Sequence, residues 1–118
     1  MSKAAVVVLA DTETHGEMGR MLNALELAKE YKESNEEVTL IFDGAGARWV
    51  PELEKEDHKL HNHYIAVKDR IAGVCSFCAS AFGVKNAVEK SGHKLLDEFD
   101  DHPSLKYYID RGYHVVTF

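Results

Sequence analysis

Seven consecutive apolar residues, Ala4 to Ala10, constrain this chain more than any other feature. A run with no polar face fits a strand covered on both sides, as in a parallel sheet flanked by helices. It is far too short to cross a bilayer. It resembles the core of a short export signal, but only Lys3 precedes it and Asp11, Glu13 and Glu17 follow closely. A buried strand is the simpler reading.

The pattern downstream repeats that theme. Thr14-x-x-Glu17 has capping-box spacing. Met18, Met21, Leu22, Leu25, Ala28 and Tyr31 then recur at three- and four-residue steps along one helical stripe. Ser34 and Asn35 end that helix, with Asn35 suited to the left-handed position after it. Val38 to Phe42 reads as a second strand, and Asp43-Gly44-Ala45-Gly46 as a flexible loop at its C-terminal end. Pro51 opens a stretch in which Leu53, Leu60, Tyr64, Val67 and Ile71 are helically spaced. The polar block Glu54 to Lys59 within it predicts an irregular or broken helix. Val74, after Gly73, begins a short third strand. Residues 79–90 read as a helix with Ala79, Phe82, Ala87 and Val88 inward and Gly92 as its stop. Leu95-Leu96 is a short fourth strand. Pro103 suits the first turn of another helix, with Leu105, Tyr108 and Ile109 inward and Gly112 at its end. Tyr113 to Phe118 form the last strand.

Strands and helices thus alternate about five times, which predicts an α/β domain with a parallel sheet and helices on both faces. With 118 residues, no internal repeat and no linker, 1–118 reads as a single domain. Such sheets bind ligands beyond the C-terminal ends of their strands. The loops 11–16, 43–49 and 75–79 lie there. Asp11, His15, Asp43, Arg48, Trp49 and Cys75 are therefore candidates for one rim.

The two cysteines, Cys75 and Cys78, carry the sharpest chemical signal. Without an export signal they are expected to be reduced, in a cytoplasmic protein. A close CxxC pair there suggests metal or redox chemistry rather than a staple. Cys75 ends a strand and Cys78 falls at the start of the helix, where free N–H groups stabilise a thiolate and lower its pKa. Cys75 is placed to attack a disulfide or persulfide and to carry sulfur, with Cys78 close enough to act as a resolving thiol or merely to line the turn. The alternative is two small buried residues filling a strand–helix corner.

Other chemistries fit less well. A net charge of -6 without a basic run argues against direct nucleic-acid binding. A thioredoxin-like centre needs a facing proline loop, and neither Pro51 nor Pro103 directly precedes a strand. Zinc on Cys75 and Cys78 would take two more ligands from His58, His61 and His63. On a helix, however, His61 and His63 point to different sides, and a solvated face is the preferred reading. No metal is assigned on that basis. The loop Asp11 to Gly16 lacks either glycine-rich phosphate motif and carries two acidic residues, so no nucleotide or other cofactor is expected.

The segment Ile71-Ala72-Gly73-Val74-Cys75-Ser76-Phe77-Cys78-Ala79-Ser80-Ala81-Phe82-Gly83-Val84 resembles the DsrE/DsrF-like family, which includes sulfur-relay subunits of the DsrEFH and TusBCD type. Gly83 and Val84 stand eight and nine positions after Cys75, as in that family. The helix 16–34, the strand 37–42, and Asp43-Gly44 with Ala47 look like its first two units. The resemblance implies a three-layer α/β/α fold with a mostly parallel five-stranded sheet. It implies homo-oligomers, trimers or hexamers, or hetero-oligomers with related subunits. It implies a cytoplasmic relay in which Cys75 takes sulfur as a persulfide from a donor protein and passes it to an acceptor. A non-catalytic, oligomeric or small-ligand-binding module with structural cysteines is the alternative. The polar segment 51–63 departs from the compact relay subunits.

Overall fold

The computed structural model describes residues 1–118. Strands β1 (Lys3–Val8), β2 (Glu37–Phe42), β3 (Ile71–Cys75), β4 (Leu95–Leu96) and β5 (His114–Thr117) form one sheet in the order β4-β3-β2-β1-β5, every pair parallel. The helices are α1 (His15–Glu33), α2 (Trp49–Leu53), α3 (His61–Val67), α4 (Ser76–Ala81), α5 (Lys85–Lys90) and α6 (Leu105–Asp110). They flank the sheet on both sides, giving the three-layer α/β fold expected from the alternation. None is long and apolar enough to cross a membrane.

The interior place of β1, between β2 and β5, explains its apolar run. Successive strand residues point to opposite faces. Ala4, Val6 and Val8 join Leu40, Phe42, Met21, Leu25, Trp49 and Tyr64 in the main core. Ala5, Val7 and Ile41 are buried on the other face. There α6 lies across the sheet, and Tyr108 meets Thr39. The strand stops at Val8, and Leu9 already turns outward.

Helix α1 begins as its spacing predicts, with Thr14 Oγ1 accepting the Glu17 N–H at 3.1 Å. The Glu17 carboxylate reaches past the cap, however, and accepts the Asp11 N–H at 2.7 Å. Asn35 adopts a φ of 57°, and the Glu36 N–H closes the helix end on the Tyr31 carbonyl. The break within 51–71 is also present, as α2, a turn and α3.

Several elements differ from their sequence expectation. The flexible loop expected at 43–46 is an ordered 3-10 turn, Gly44–Arg48, capped by Asp43. The single helix expected at 79–90 splits into α4 and α5, because Gly83 takes a left-handed φ of 70° between them. Phe82 consequently faces water instead of the core. Pro103 lies just before the Ser104 cap of α6 rather than inside its first turn, and Ile109 is exposed while Leu105 and Tyr108 are half-buried.

A polar knot pins α3. The Tyr64 hydroxyl donates to Glu54, His93 Nε2 lies 2.6 Å from that hydroxyl, and Lys68 Nζ donates to Glu54 at 2.9 Å. Burial holds the His93 pKa below its ordinary 6.5, Lys68 pushes the same way, and Glu54 opposes them. A native state that resists a proton the unfolded chain accepts loses stability as pH falls. The His93 contribution is therefore complete above its unfolded pKa and declines below it. Thermal melts are expected to fall from pH 7 to pH 5, with a shallower decline in His93→Gln. Parallel declines in the two proteins would show that His93 is not responsible.

Candidate functional site

The sheet order creates the site. The connections leaving β1, β2 and β3 each step to the adjacent strand, whereas the one leaving β4 returns across the sheet to β5 at the opposite edge. The helices after β3 pack with those of the first layer, and α6 lies on the other face. The exits of β3 and β4 therefore part to opposite faces, which puts the end of β3 at a topological switch point.

Cys75 closes β3 and also caps α4, its Sγ accepting the Cys78 N–H at 3.3 Å. Cys78 sits in the first turn of α4, and its thiol points at Asp43 Oδ1, 3.6 Å away. Asp43 follows β2 directly. Its N–H is held by the Val8 carbonyl at 2.9 Å, and its carboxylate accepts the Gly44 N–H at 2.8 Å.

The fourth member comes from the loop after β4. His102 Nδ1 lies 3.2 Å from Cys75 Sγ. Phe99 and His102 exchange backbone hydrogen bonds of 2.9 and 2.8 Å around Asp100 and Asp101. Both central residues are left-handed, with φ of 49° and 65°, so the segment is a tight primed turn. The Asp101 carbonyl accepts the Phe77 N–H at 2.8 Å, tying the turn to α4. The Phe77 ring lies against the His102 ring, centroids 5.1 Å apart.

Both sulfurs are buried and both cysteines are free. Burial pushes the Cys75 thiol up to about 12, and the neighbouring Cys78 and Asp43 act in the same direction. The lowered pKa expected from a helix start does not hold. One N–H from a six-residue helix opposes the loss of water and two adjacent acidic groups. At rest this sulfur is a covered thiol.

Of the rim residues read from the sequence, Asp43 alone joins the cysteines. Arg48 is clamped between Asp11 at 3.0 Å and Glu13 at 2.8 Å. Trp49 is buried, its Nε1–H donating to the carbonyls of Ala10 and Asp11. Asp11, Glu13, Arg48 and Trp49 thus lock the β1 and β2 loops together. His15 stands exposed at the first position of α1. The histidine cluster disperses: His58 Nδ1 accepts the Leu60 N–H, His61 Nδ1 meets the Leu53 carbonyl, and His63 Nδ1 meets Glu26. The rim loops 11–16, 43–49 and 75–79 end with the third strand and leave His102 out. The same rule applied after Leu95-Leu96 reaches residues 97–104.

No family model matches the chain. An uncharacterized protein of Methanocaldococcus jannaschii is 40% identical over 96 residues, covering 81% of this chain and 78% of that protein. A solved structure of a conserved protein of unknown function from Bacteroides thetaiotaomicron aligns over 97% of this chain and 94% of its own, with a TM-score of 0.65. At 18% identity that likeness shows a shared fold.

Proposed function

The chain belongs to one family with the uncharacterized Methanocaldococcus jannaschii protein, and we propose that it is a sulfur-relay protein carrying sulfane sulfur as a persulfide on Cys75. The observation that carries this reading is the 3.2 Å approach of His102 Nδ1 to Cys75 Sγ. A nucleophile with a base in hydrogen-bond reach needs no permanently low pKa, because its proton is removed as it reacts.

His102 takes the Cys75 proton, and the sulfur attacks the outer sulfur of a donor persulfide, R–S–SH. The new S–S bond on Cys75 forms as the donor S–S bond breaks. The donor leaves as R–SH with the proton His102 held. Sulfur moves without net oxidation, so the step needs no external oxidant. The Cys78 N–H supports the charge on the sulfur, and the Cys78 thiol stands beside it as the assisting group.

In this reading the protein is DsrE/DsrF-like and works in the cytoplasm. It acts as a homo-oligomer, trimer or hexamer, or with related subunits, between a donor and an acceptor protein. Phe77 and Phe99, exposed beside the turn, suit protein contact. Intact mass after incubation with a persulfide donor tests it. Wild type and Cys78→Ser are expected to gain about 32 Da, the mass of one sulfur, and Cys75→Ser to gain nothing. No adduct on wild type, or an equal one on Cys75→Ser, would overturn this reading.

A further inference from the structure

Four side chains from three separate loops bring two sulfurs, an imidazole nitrogen and a carboxylate oxygen together. The ligand atoms of Asp43, Cys75, Cys78 and His102 all lie within 4.8 Å of one another. Two of the six separations are already 3.2 Å, Cys75 Sγ to His102 Nδ1, and 3.6 Å, Cys78 Sγ to Asp43 Oδ1. Around a tetrahedral zinc ion, metal–sulfur bonds of about 2.3 Å and metal–nitrogen or oxygen bonds of about 2.0 Å require edges of about 3.3–3.8 Å. Small rotamer shifts therefore complete the tetrahedron without moving a strand.

The donor set selects the metal. Magnesium and calcium take oxygen ligands, whereas two thiolates with an imidazole suit zinc. The surroundings are those of a supported site. The Gly44 N–H fixes Asp43, the Cys78 N–H points at the Cys75 sulfur, and Phe77 covers one side of His102. Two thiolates and one carboxylate on a divalent ion leave a single net negative charge, and binding releases the two thiol protons to solvent.

We propose that Asp43, Cys75, Cys78 and His102 bind one zinc ion, and that the bound metal holds the Cys75 sulfur out of reach of a persulfide donor. Zinc binding is independent of the relay reading; the blocking rests on it. All four coordination positions come from the protein, so the loaded form is closed and the metal-free form is the one open to sulfur.

Chelator-stripped protein titrated with zinc(II) against a chromophoric competitor is expected to bind one ion per chain. Cobalt(II) in its place is expected to give tetrahedral d–d bands and a thiolate charge-transfer band. His102→Ala, whose side chain is only half-buried, is expected to weaken zinc by about 100-fold, and Cys78→Ser to remove the charge-transfer contribution of its thiolate. Failure to bind zinc would overturn the proposal. Equal affinity in His102→Ala would overturn it too. So would binding that survives in the Cys75→Ser, Cys78→Ser double variant, which would assign the metal to surface histidines. The mass experiment, run on metal-free and zinc-loaded protein, separates the two readings. An adduct on metal-free protein that binds no zinc ends the metal site alone. Zinc binding with no adduct on metal-free protein ends the relay alone. An equal adduct with and without zinc ends the blocking.

Discussion

Replacing Gly46 by alanine is expected to destabilise the protein by about 3 kcal/mol or more, lowering its melting temperature by about 10 °C. A Cβ at that position would stand 2.0 Å from the Val8 carbonyl oxygen and 2.8 Å from its carbon. Those atoms belong to the end of β1, an interior strand held by β2 on one side and β5 on the other, and have little room to move. The same Val8 carbonyl accepts the Asp43 N–H, so lifting the 3-10 turn breaks a buried hydrogen bond as well. It also carries Asp43 away from Cys78. The identical substitution at Gly19, in the second turn of α1 with open space around it, is expected to act in the opposite direction. There alanine improves helix propensity by about 1 kcal/mol. Chemical denaturation of both variants checks the pair. A Gly46→Ala protein as stable as wild type would mean that the turn does not press on β1.

That contrast bears on what the sequence could tell. The glycines at 44 and 46 mark a loop on any reading, and flexibility was the natural inference from composition. Their physical roles are narrower: Gly44 supplies a left-handed φ of 53°, and Gly46 permits contact with a strand end. Neither role is visible without the partner surface. The buried strands were legible because an unbroken apolar run has few other uses in a folded domain. The helix after the cysteines was overextended because Phe82 fits an apolar stripe by spacing. Gly83 stops the helix before that stripe reaches the core. Cys75, Cys78 and Asp43 were legible together, since topology sends the ends of β2 and β3 to one rim. His102 was not, for two reasons. Its strand is only two residues long, and it sits in the polar segment 97–102, which reads as solvated. Only the two left-handed aspartates fold that segment back, and residue type alone indicates no more than tolerance of that conformation.

His102 is also where the largest loss of function short of removing the nucleophile is expected. In metal-free protein, His102→Ala is expected to slow sulfur uptake from a persulfide donor by about 100-fold or more, the usual size of a lost general base. The thiol it leaves behind is covered and strongly disfavoured as an anion, because burial and the adjacent Cys78 and Asp43 oppose the charge. No other ring nitrogen meets that sulfur, so its proton has no equivalent destination. A structural role for the imidazole predicts something different. Its removal would loosen the 99–102 turn and expose the sulfur, which would raise alkylation and leave uptake unchanged or faster. Added imidazole separates the cases. If His102 acts on the proton, free imidazole in the vacated space restores part of the rate in His102→Ala. It does nothing for Cys75→Ser, which lacks the atom that accepts sulfur. His102→Gln sharpens the test, because an amide can hold the turn and hydrogen-bond the sulfur but cannot accept its proton as a base. Uptake by His102→Gln is expected to stay near the level of His102→Ala. A glutamine variant that transfers at the wild-type rate would reduce His102 to a hydrogen-bonding support and leave the relay chemistry to the cysteines alone.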